Sequence, residues 1–154
     1  MNYLVVKWLH ILSSTMLFGT GLGSAFYFYF ASRTRDPRVA ASVVKSVVLA
    51  DWIFTTPTII LQPATGLYLA HIANMPLSTP WLALSIILYL VAVAAWLPVV
   101  WIQIRMRELA AGAMRAEREL PAIYWRLLKY WMTLGVVAFV SLVAVFYLMV
   151  AKPG

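Results

Sequence analysis

No cysteine occurs among the 154 residues. That absence excludes disulfides, iron–sulfur clusters, thiolate haem ligands, thiol nucleophiles and cysteine-based zinc sites. Histidine, methionine, carboxylates and backbone carbonyls are the ligands that remain. Charge is nearly as scarce: Asp, Glu, Lys and Arg make up 11% of the chain, against about 25% in soluble domains. No Ser-His-Asp set, phosphate-binding glycine loop or pair of carboxylates within an apolar run is visible, so the common hydrolytic and nucleotide-binding signatures do not apply. What abounds is apolar: 64% of side chains are hydrophobic and the mean hydropathy is +0.87. One membrane anchor takes about 20 residues and a soluble remainder would dilute such a mean, so no separate soluble domain is expected. The net charge of +7 does not imply nucleic acid, because the basic residues fall in two short blocks between apolar runs.

Those runs predict an all-α fold, a bundle of four transmembrane helices in one integral membrane domain. No charge lies between Lys7 and Arg33, none from Trp52 to Ile104, and none from Tyr130 to Ala151. The middle run is twice a single crossing and is broken once, at Asn74, Met75, Pro76, Ser78, Thr79 and Pro80, which makes two helices and a tight turn. The expected helices cover about 3–31, about 46–73, about 80–104 with an extension to about 119, and about 121–151. Met1 to Phe30 lacks the features of a cleaved signal peptide, so nothing is expected to be removed. Arg33, Arg35, Arg38 and Lys45 stand between helices one and two, and Arg105, Arg107, Arg115, Arg118, Arg126 and Lys129 between three and four. Cytoplasmic loops collect such residues, so both termini are expected outside the cytoplasmic membrane.

His10 and His71 are the two histidines. His10 follows Lys7, which can snorkel to the interface, and His71 precedes the turn at Asn74, so both imidazoles are expected about one turn below the same surface. That arrangement suits a metal or haem iron held between two helices, and the alternative is a hydrogen bond from each ring to a nearby carbonyl. At 100° per residue, Ser14, Leu17, Gly21 and Ser24 share the His10 face, with Gly21 leaving room for a flat macrocycle edge. Thr15, Gly19 and Gly23 form a small-residue stripe opposite, which reads as a helix-packing surface. Beneath His71, Tyr68, Leu67, Ala64 and Pro63 form a largely apolar wall. Gln62 points the other way. With Thr55, Thr56, Thr58 and Thr65 it either satisfies a backbone kinked by Pro57 and Pro63 or lines a quinone or proton path. Asp51 lies at the level of Arg105 and Lys129, where an ion pair is expected, with proton entry as the alternative. Met75, four residues after His71, could join a copper site. Trp81, Trp96, Trp101, Trp125 and Trp131 read as an interfacial aromatic belt.

The stretch Val6-Lys7-Trp8-Leu9-His10-Ile11-Leu12, followed by Leu17-Phe18-Gly19-Thr20-Gly21, Ala50-Asp51-Trp52, Leu61-Gln62-Pro63-Ala64-Thr65-Gly66-Leu67 and Trp96 to Arg105, resembles a bacterial family of small predicted integral membrane proteins without assigned function. That family is in turn distantly similar to the small membrane protoporphyrinogen IX oxidase and to the membrane domain of copper resistance protein D. The shared pattern, Lys-x-x-His-[Ile/Leu] at the start of the first helix, implies haem b binding at His10. The oxidase's lysine, shortly after a Trp in the third helix, has no counterpart, because Leu82 to Ser85 follow Trp81. The sequence therefore leads to a haem b redox protein with His10 and His71 as axial ligands and Ser14, Gly21, Leu67 and Tyr68 lining the site. A copper or haem handling protein, or a structural subunit of a membrane complex, is the alternative. Lipid is the expected surrounding, with a quinone or redox protein and a second copy of the chain as further partners.

Overall fold

Asn2 and Asp36 open the first two helices by accepting the N–H groups of Leu4 and Arg38 at 3.1 and 2.8 Å, the usual answer to unpaired donors at a helix start. The computed structural model describes residues 2–153. Its helices are α1 (Tyr3–Arg33), α2 (Pro37–Ile72, with a π-helical turn at Asp51–Thr55), α3 (Pro80–Arg115) and α4 (Ala122–Ala151). All four are long and apolar enough to cross a membrane, and no strand occurs among the described residues. Each ends on a residue in the left-handed region shortly beyond it: Arg35, Asn74, Glu117 and Lys152. The 3.0 Å bond from Arg118 N to Ala113 O and the 2.9 Å bond from Met75 N to Ala70 O close two of these ends in the manner of a Schellman motif.

Two helix bounds depart from expectation. α2 begins at Pro37 rather than near 46, because Asp36 caps it and Pro37 suits a first helical position. α3 stops at Arg115 rather than near 119, and Pro121 caps α4.

α3 and α4 form the most extensive pairing, α1 lies along Thr56–Ile72 of α2, and the first part of α2 lies along α3. At 36 residues, α2 and α3 are each about 54 Å long, well beyond the roughly 30 Å of a hydrocarbon core. The excess is on the side of the two arginine-rich blocks, here called the basic end. The main core lies there too: Phe28, Ala40, Val44, Met106, Ala110 and Tyr124 are its best-buried members. The placement has a physical reason. Inside a bilayer an apolar face gains nothing by exchanging lipid tails for another helix, whereas beyond it each buried methylene leaves water.

Candidate functional site

Asp51 opens the π-helical turn of α2 and is 7% exposed. A π turn inserts an extra residue, which re-aims nearby side chains and takes carbonyls out of the ordinary ladder. Threonines accept that role: Thr56 Oγ1 donates to Asp51 O at 3.0 Å and Thr58 Oγ1 to Phe54 O at 2.6 Å. The Asp51 carboxyl itself turns into the bundle. Oδ1 accepts from Thr55 Oγ1 at 2.7 Å and Oδ2 from Gln103 Nε2 on α3, while Gln103 Oε1 accepts from Trp131 Nε1 on α4 at 3.3 Å. Three helices are thereby joined through one chain of hydrogen bonds that contains no cation.

The expected ion pair of Asp51 with Arg105 or Lys129 is not formed. Gln103, two residues before Arg105, occupies the inner face of α3, and Arg105 is left outside, where it pairs with Glu108 at 2.8 Å. Lys129 is likewise exposed. The carboxyl borders a partly open cavity of about 290 Å³ to which all four helices contribute, lined chiefly by apolar groups and including Phe18, Tyr89, Trp96, Trp131 and Phe139. Phe18 and Phe139 stack across α1 and α4 with centroids 5.0 Å apart. Tyr89 donates its hydroxyl to Ile59 O, the carbonyl that Pro63 deprives of its helical donor, so this kink is satisfied from α3 rather than by the threonines of α2. Trp96 Nε1 is buried without a partner. Gly21 and Gly135 also line the cavity, and no atom stands within 4 Å of where a Cβ would be at either.

His10 forms a second centre on the inner face of α1. Its Nδ1 lies 2.8 Å from Thr65 Oγ1 of α2, and Gln62 Nε2 donates to its backbone carbonyl at 3.3 Å. Thr65 Oγ1 already donates to Leu61 O at 2.6 Å, so toward the imidazole it accepts, which places the ring proton on Nδ1. Nε2 keeps its lone pair, and no hydrogen bond reaches it from the described residues. The ring also lies against Gly66, where an added Cβ would be 3.1 Å from Cε1. No other glycine described comes so close to a neighbour.

The two histidines are not brought to one depth. His10 is level with Thr65 and Gly66, whereas His71 stands five residues beyond Gly66, about 7.5 Å along α2, and is exposed. The discrepancy arises because α1 projects past α2: His10 is seven residues inside α1 and His71 is one residue from the end of α2. Leu67 and Tyr68 are on the same outward face as His71, at 46% and 37% exposure, so they do not wall a site shared with His10. Ser14 donates to Ile11 O of its own helix at 2.7 Å. Gly21 faces the cavity instead of the histidine. Gln62 is turned inward, away from the His71 face, and its Oε1 is buried without a partner.

Three further expectations change. Gly19 and Gly23 have no atom of another element within 4 Å of a built Cβ and Thr15 is exposed, so their stripe makes no close packing among the described residues. Trp131 is buried and Trp96 lines the cavity, so these two belong to the interior and not to a belt, whereas Trp101 is exposed. Met75 lies at the turn beyond His71, further still from the level of His10, and no three His, Asp or Glu side chains converge among the described residues. Gln103 and Gly66, which sequence reasoning passed over, turn out to organise the two centres. A glutamine inside an uncharged span was the available signal for the first, since buried amides need partners.

Residues 4–153 match a family described as "Predicted integral membrane protein (DUF2269)". No curated protein and no solved structure matches the chain.

Proposed function

The chain belongs to that family of predicted integral membrane proteins, and on this premise we propose that it is a haem b-binding redox protein of a bacterial cytoplasmic membrane, with His10 as the iron ligand. One arrangement carries the reading: Thr65 Oγ1 lies 2.8 Å from His10 Nδ1 with its own proton directed to Leu61 O, which favours the ring proton on Nδ1 and a free lone pair on Nε2. Metal-ligating histidines are commonly oriented in this way, the second nitrogen donating to an oxygen that sets tautomer and ring plane. The donor set therefore fits a single iron ligand, and His10 would hold the group. Haem, when bound, supplies one-electron chemistry. The residues of this chain fix the imidazole: Thr65 by its hydroxyl, Gly66 by admitting the ring, and Gln62 by tying the His10 carbonyl to α2.

Purified with haem supplied during expression, the protein should show a Soret band, and His10→Ala should remove most of it. His71→Ala should leave the spectrum unchanged, because that ring is exposed and away from the His10 centre. A protein that takes up no haem, or His10→Ala retaining it at full occupancy, would overturn the reading.

We further propose that both termini face outward and the basic end faces the cytoplasm. Ten Lys and Arg flank the two turns of the basic end, against Lys7 and Lys152 at the other, and short loops follow this bias. A reporter active only in the cytoplasm should be silent at either terminus and active when inserted between Arg115 and Arg118. Activity at both termini would reverse the assignment.

A further inference from the structure

The cavity at the centre of the bundle has two features that its packing does not use. The first is the Asp51 carboxyl, which borders the cavity with only neutral hydrogen-bond donors, Thr55 and Gln103, and no lysine, arginine or histidine paired to it among the described residues. An ionisable side chain inside a membrane protein is costly, faces the interior, and ordinarily has a partner. The second is the wall. Phe18, Tyr89, Trp96, Trp131 and Phe139 surround the space with aromatic rings, whose faces attract cations, and more so where water is excluded. Gly21 and Gly135 leave open room beside them. A volume of about 290 Å³ is close to the lower limit of small-molecule sites, about 300 Å³.

From the unpaired carboxyl and the aromatic lining we infer that this cavity binds a small lipophilic monocation of the quaternary or alkyl ammonium class, with Asp51 as its counter-ion. Charge complementarity selects this occupant over a neutral one. A neutral apolar molecule would fill the same volume and leave the carboxyl without an opposite charge. Asp51 and Thr55, four residues apart on one face and both buried, turn into the bundle together, and Gln103 holds the carboxyl in place from α3. The site is separate from His10, which does not line the cavity, and the inference does not depend on haem.

The test compares benzyltrimethylammonium with neopentylbenzene, which has the same shape with carbon in place of the charged nitrogen. Both are titrated into the protein in lipid nanodiscs, with empty nanodiscs as the baseline. The cation should bind at least tenfold more tightly than its neutral isostere. Asp51→Asn, which preserves shape and removes the charge while keeping one of the two acceptor oxygens, should weaken cation binding at least tenfold and leave neopentylbenzene unaffected. Gly135→Leu, which places a side chain in the open space, should weaken both. Equal binding of the two probes by the unmodified protein, or unchanged cation affinity in Asp51→Asn, would overturn the proposal. The comparison of probes on the unmodified protein holds even where a variant fails to fold.

Discussion

Tyr124→Ala should lower the stability of the folded protein by about 3–5 kcal/mol, the range for deleting a fully buried aromatic ring. Tyr124 has no exposed surface; it packs in the basic-end core and its hydroxyl is 2.7 Å from Ser32 Oγ on α1. The core residues around it, among them Phe28, Val44 and Met106, come from the three other helices and cannot all follow the lost ring. Tyr124→Phe should cost about 1–3 kcal/mol, since it leaves the ring in place but deprives the buried Ser32 hydroxyl of this partner. A control exists on the same helix. Tyr147 is 69% exposed on a face that meets lipid, and Tyr147→Ala should change stability by well under 1 kcal/mol, because lipid tails replace the lost contacts. Unfolding followed by circular dichroism in detergent at increasing denaturant checks all three. Equal losses for Tyr124→Ala and Tyr147→Ala would show that burial from water at the basic end is not what holds the bundle together.

The contrast between these two tyrosines also marks what the sequence makes legible. Four spans are readable because hydropathy accumulates over about 20 residues, and one Asn74 or Gln62 does not alter the sum. The start of α2 is harder, because Arg38 and Lys45 interrupt the uncharged run and hide a helix that begins at Pro37. The signal was local: Asp36 followed by Pro37 is a capping residue and a first helical residue, and Ala40, Ala41, Val44, Val47 and Val48 repeat at helical spacing.

The interior is a different problem, because it depends on how helices face and slide past one another. Periodicity puts Ser14, Leu17, Gly21 and Ser24 on the His10 face of α1; of these Leu17 is buried, and Val6 and Ser13 are buried beside it. Depth could not be derived in that way. Lys7 and Asn74 were the markers, but a snorkelling lysine adjusts by several ångströms, whereas Gly66, by admitting the His10 ring, sets the register. Asp51 illustrates the same limit. Counting residues finds Arg105 at the right level, yet two residues along a helix is a turn of about 200°, and the inner face belongs to Gln103.

Gln103→Leu should therefore be among the most damaging single changes inside the membrane, with a loss of about 2–6 kcal/mol. The side chain is 1% exposed and serves two buried groups, Asp51 Oδ2 and Trp131 Nε1. Leucine preserves the bulk and removes both bonds, and each buried polar group left unpaired costs about 1–3 kcal/mol. The larger share falls on the carboxyl, whose remaining protein donor is Thr55. If this is the cause, removing the carboxyl as well should restore stability: the double substitution Asp51→Leu, Gln103→Leu should be more stable than Gln103→Leu alone, because a pair of apolar groups replaces a broken polar pair. The recovered energy, read from a double-mutant cycle on unfolding in detergent, should exceed about 1 kcal/mol. Simple addition of the two single losses would show that Gln103 acts through its volume and not through Asp51. The same double variant separates folding from binding, since a bundle rescued in stability but lacking Asp51 has no counter-ion to offer in its cavity.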